Sequence, residues 1–176
     1  MRIYEGSPRQ DFEEVFRSIG AILDKRVLRE VLLIEVPDGF VVQGLVTDQE
    51  LSGARSEILG REQKLTLTFV EDDVVRFMEE GLARRGTAGE APEWERAGYY
   101  ERAMRVLGEY LDEQRPRDVF FFEQSGAFVV RILAAAPTGG AHQLIEFTPE
   151  DIDDMIARAP SSRIPAAGAG GKGTQG

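Results

Sequence analysis

Few side chains in this sequence are typed and spaced for chemistry. Glu35 and Glu123 hold equivalent places in two similar segments, and carboxylates related in that way could share a proton or grip a divalent cation. No His and no third carboxylate is placed to complete such a site, so each reads as a strand glutamate, with Arg131 set diagonally for Glu123. Arg29 and Arg117 each stand just ahead of a strand. They are candidates for a twin anion site, or for pairing with Asp24 and Asp112 at the preceding helix ends. The acidic runs Glu71-Asp72-Asp73 and Glu150-Asp151-Asp153-Asp154 lack the sixth-position glycine of an EF-hand loop. They fall at helix starts, where carboxylates complement the N-terminal dipole, and Thr148-Pro149 supplies a cap and a first-turn proline. The run GAGGKGTQG fails the phosphate-loop spacing because Gly173 follows Lys172. His142 is alone, and the absence of Cys removes thiolate ligands and cysteine nucleophiles. The expectation is therefore no catalytic residue, no metal site and no cofactor.

Positioning even these groups requires a core, and 176 residues suffice. A chain of this length buries roughly 70% of its unfolded surface without disulfide or metal. Asp plus Glu number 31 against 21 Lys plus Arg, a net charge of -10, which weighs against nucleic acid or an anionic membrane as partner. The opening MRIYEGSPRQDFEE has no basic region followed by an apolar run, and no stretch approaches a membrane span, so a cytoplasmic location is expected.

The strongest signal is internal. Asp11–Val46 aligns without a gap on Tyr99–Ala134, an offset of 88 residues. Identical pairs include Glu13/Glu101, Arg17/Arg105, Gly20/Gly108, Leu23/Leu111, Asp24/Asp112, Arg29/Arg117, Val31/Val119, Glu35/Glu123, Phe40/Phe128, Val41/Val129 and Val42/Val130. Unrelated segments would share roughly two or three, so the reading is a tandem duplication. Each copy begins with apolar residues at helical spacing (Phe12, Val15, Phe16, Ile19, Leu23; then Tyr100, Ala103, Met104, Leu107, Leu111). Strands follow at 31–36, 40–46 and 64–70, and at 119–124, 128–134 and 142–147; helices at about 72–84 and 149–158 close each copy. The expected fold is α+β: two α-β-β-β-α units, residues 1–85 (with an insert near 49–64) and 99–160, joined by a linker at 86–98 and followed by a disordered tail at 161–176. About six antiparallel strands carry the helices on one face. The pairs Glu13 with Arg17 and Glu101 with Arg105 read as i,i+4 contacts within a helix.

Three-residue turns at Pro37–Gly39 and Ser125–Ala127 set Leu32, Ile34 and Val36 on one face with Phe40, Val42 and Val46, under the helices. The other face then carries Val31, Leu33, Glu35, Val41, Gln43 and Leu45, and by the offset Val119, Phe121, Glu123, Val129, Arg131 and Leu133. Its mixture of apolar and sparse polar groups suits protein docking, or equally a face covered by the insert at 49–64 or by the tail. Leu33, Val41, Leu45, Phe121, Val129 and Leu133 are the candidate docking residues.

In element order and acidity the chain resembles small bacterial secretion chaperones, which implies binding of other polypeptides. The double-stranded RNA-binding domain shares the order, but its basic second helix is missing. The functional expectation is a non-catalytic protein-interaction module, adaptor or chaperone-like, whose partner is another protein or a second copy. The alternative is a small-ligand-binding regulatory domain whose anion site at the junction of the copies uses Arg29, Arg117, Glu35 and Glu123.

Overall fold

The computed structural model describes residues 11–47, 62–85, 97–116, 118–133 and 142–159. Among them are four helices and six strands: α1 (Asp11–Arg26), β1 (Arg29–Val36), β2 (Gly39–Thr47), β3 (Glu62–Val70), α2 (Glu71–Arg85), α3 (Tyr99–Gln114), β4 (Val119–Gln124), β5 (Ala127–Leu133), β6 (His142–Phe147) and α4 (Pro149–Arg158). The expected insert and linker, Arg117 and the expected tail lie wholly or mostly outside the described residues.

The strands form one open antiparallel sheet in the order β3-β2-β1-β4-β5-β6, so the two halves join edge to edge through β1 and β4. Leu33 pairs with Phe121, its own counterpart at the 88-residue offset, while Leu32 pairs with Phe122 and Ile34 with Phe120. That reciprocal register places a pseudo-twofold axis through the sheet centre. α1 and α3 lie side by side over the middle strands, with α2 and α4 outside them near β3 and β6.

The apolar stripes of the helices meet the sheet in one core. Phe16 sits edge-on to Phe40 at 5.6 Å between ring centroids and 5.9 Å from Phe121, which in turn packs on Phe128 at 5.9 Å. Val74, Phe77 and Ile152 bring α2 and α4 into the same cluster. Each such large side chain removed from water stabilises by roughly 1.5–3 kcal/mol. The starts of α2 and α4 are capped as their composition implies. Thr148 and Asp151 form a reciprocal capping box ahead of α4, which holds the Asp151 carboxyl below its ordinary range through the Thr148 backbone and hydroxyl, and Asp73 accepts from Val70 N at 3.2 Å ahead of α2.

The hairpins correct the expected faces. Val36 pairs with Gly39 and Gln124 with Ala127, so the loops are the two-residue turns Pro37-Asp38 and Ser125-Gly126. Ser125 (φ 52°) and Gly126 (φ 82°) both take the left-handed region that a type I′ turn requires. Shortening the turn by one residue reverses β1 relative to β2. Val31, Leu33 and Glu35 thus share the helix-facing side with Phe40, Val42 and Val46, and Leu32, Ile34 and Val36 move to the opposite side.

Candidate functional site

Register fixes what the open side of the sheet presents. One line across all six strands reads Thr68, Val41, Ile34, Phe120, Arg131, Leu144; the next reads Thr66, Gln43, Leu32, Phe122, Val129, Glu146. Val36, Leu45 and Leu133 extend the apolar surface beyond these lines. None of the described helices packs on this side. Ile34 is 36% and Leu144 71% exposed, and the rest of the apolar set is half-buried. Phe120 and Phe122 contact edge-to-face at 6.1 Å, and the guanidinium of Arg131 lies 5.1 Å from the centroid of the Phe120 ring.

The expected docking set divides between the two sides. Val41, Leu45, Val129 and Leu133 line the open face, whereas Leu33 and Phe121 are fully buried under the helices at the centre of the core. In their place the structure brings Ile34, Leu32, Phe120 and Phe122 to the open face, through the two-residue turns.

The described members of the expected ligand site, Arg29, Glu35 and Glu123, do not share one side of the sheet. Arg29 stands opposite Leu45 and its guanidinium lies 3.9 Å from Glu62 of β3, both groups well exposed. Glu35 and Glu123 point the other way, toward the helices. The Glu123 carboxylate accepts from the Tyr100 hydroxyl at 2.6 Å and from Val31 N at 3.3 Å, where β1 carries a bulge, and not from Arg131. Burial first, then this bond and the charge of Glu123, push the Tyr100 hydroxyl above its ordinary pKa. Both oxygens of Glu35 are shielded from solvent. Arg117 lies outside the described residues.

The repeated polar residues of α1 and α3 serve the junction of the halves instead. Asp24 accepts from Tyr100 N and Glu101 N at 3.1 and 2.9 Å; Asp112 accepts from Phe12 N and Glu13 N at 2.9 and 3.0 Å. Each helix end is therefore capped by the other helix, and Gly98, the residue before α3, makes no side-chain cap of its own. Arg17 bonds Glu101 at 3.1 Å and Arg105 bonds Glu13 at 3.0 Å, so these arginines reach across the helix pair, where the sequence spacing suggests contacts within one helix. Gly20 and Gly108 let the helices meet: a Cβ at either would strike the backbone of Tyr100 or Phe12 on the facing helix. Sequence reasoning missed this seam, although the identities at one offset were its signal.

Among the described residues no cluster of three or more His, Cys, Asp or Glu is arranged to hold a metal ion, and no helix is long and apolar enough to cross a membrane. Comparison with protein-family models, with curated proteins and with solved structures gives no match.

Proposed function

We propose that this chain is a non-catalytic protein-interaction module, adaptor- or chaperone-like, that takes another polypeptide on the open face of its sheet, and that its halves arose by tandem duplication of one α-β-β-β-α unit. The observation that carries the reading is the contiguous apolar surface of Leu32, Ile34, Val41, Phe120, Phe122 and Val129, which spans the four central strands on the side away from the helices. A sheet face meant only for water carries more Lys, Glu and Thr, as the edge strand β3 does at Lys64, Thr66 and Thr68. Aromatic rings beside an arginine are also the composition of the energetic centres of protein interfaces. The duplication is supported by the shared offset of the sequence identities and of the contacts across the pseudo-twofold.

The test is capture from a lysate of the source organism on the immobilised full chain, beside an Ile34→Asp/Phe122→Asp variant whose circular dichroism matches wild type. Polypeptides retained by wild type and lost by the variant are expected. Identical eluates from the two would remove the open face from the account.

A further inference from the structure

Building on that reading, we infer that the second-half portion of the open face (Phe120, Phe122, Val129, Arg131, Leu133 and Leu144) anchors a polypeptide segment in which an Asp or Glu stands between apolar side chains. Arg131 is the observation that points to this occupant. It lies in line between Phe120 and Leu144 on the neighbouring strands, with Val129 and Leu133 two residues away on its own strand and the same face. Its guanidinium is held over the Phe120 ring, and among the described residues it forms no ion pair; Glu146, in the adjoining line opposite Val129, is not bonded to it. The corresponding residue of the first half is Gln43, between Val41 and Leu45, so a cation at this position belongs to the second half alone.

An occupant that covers the apolar residues also strips water from Arg131, whose charge is permanent. A purely apolar or basic segment would leave that cation buried and uncompensated, which is strongly unfavourable. A carboxylate set among apolar side chains satisfies the free N–H edge of the guanidinium while its neighbours cover Phe122, Val129 and Leu144. The net charge of -10 disfavours phosphate-rich polymers as the source of that anion.

A display library of short random peptides, selected on the full-length protein, reads this directly. Enriched binders are expected to carry Asp or Glu flanked by apolar residues. On Arg131→Gln the acidic preference is expected to vanish while the apolar one persists. For a synthetic peptide from the selection, replacing its carboxylate residue by the amide should weaken binding to wild type about tenfold and leave binding to Arg131→Gln unchanged. Binders lost on Phe122→Asp but indifferent to the carboxylate would overturn this inference and leave the docking face standing. Failure to select binders sensitive to Phe122→Asp would overturn both. Leu144→Asp, at the most exposed apolar position of the face, repeats the control should Phe122→Asp not fold.

Discussion

The helix seam and the open sheet face are two surfaces of the same pseudo-symmetric molecule, and the halves agree on one and diverge on the other. At the seam Glu13/Glu101, Arg17/Arg105, Gly20/Gly108 and Asp24/Asp112 are identical, because each residue must meet its counterpart's neighbours across the axis. On the open face Val41/Val129 and Leu45/Leu133 are kept, but Leu32 faces Phe120 in the comparison, Ile34 faces Phe122, and Gln43 faces Arg131. Reciprocal contact fixes residues in pairs; a surface that meets something other than itself leaves each half to specialise. The seam therefore accounts for folding, and the open face is where a role beyond folding is to be sought.

Within the seam, the largest loss is expected at the buried ion pair. Arg105→Met removes the 3.0 Å bond to the Glu13 carboxylate, which is 1% exposed, and is expected to lower unfolding free energy by about 3–5 kcal/mol in urea titrations. Arg17→Met should cost less, since Glu101 keeps access to water at 21% exposure; equal costs would contradict the assignment of burial as the deciding term. Gly108→Ala forces a methyl against the Phe12 carbonyl and should destabilise by about 2 kcal/mol despite the better helix propensity of Ala, where an exposed glycine would gain. Tyr100→Phe, which installs the residue type found at Phe12, removes one hydrogen bond to Glu123 and should cost about 1–2 kcal/mol. Because the folded state raises the Tyr100 pKa, the contribution of that hydroxyl is complete below about pH 10 and drains away as pH rises further. Thermal melts of wild type should accordingly fall more steeply above that pH than those of Tyr100→Phe. Smallest of all should be Phe122→Asp, below about 1 kcal/mol, although the adjacent Phe121→Asp is expected to abolish folding.

Much of the architecture was legible in one sequence. Helical spacing gave α1 and α3, β-branched and aromatic runs gave the strands, and the 88-residue offset exposed two similar halves. What the sequence left open turns on single residues. Pro37-Asp38-Gly39 is compatible with a loop of two or three residues, and because side chains alternate along a strand, that one-residue ambiguity decided whether Leu33 or Ile34 faced solvent. Of the candidate docking residues, Val41, Leu45, Val129 and Leu133 accordingly lie on the side away from the helices, whereas Leu33 and Phe121 lie in the core. The polar seam escaped for a different reason. An Asp near the C-terminal end of one helix does not announce that it caps another helix tens of residues away, and Glu-Arg spacing of four is already explained by a local pair.

Everything proposed for the sheet requires its Ile34–Phe122 side to be open in the folded protein, and the absence of native Cys makes that directly measurable. Single variants Ile34→Cys, Phe122→Cys, Leu33→Cys and Phe121→Cys can be followed for thiol alkylation under native conditions. The first two should react within a small factor of a free thiol, and the last two only through unfolding, slowed by orders of magnitude. Protection of the thiols at positions 34 and 122 equal to that at 33 and 121 would contradict the claim, because the face would then be covered by the chain itself.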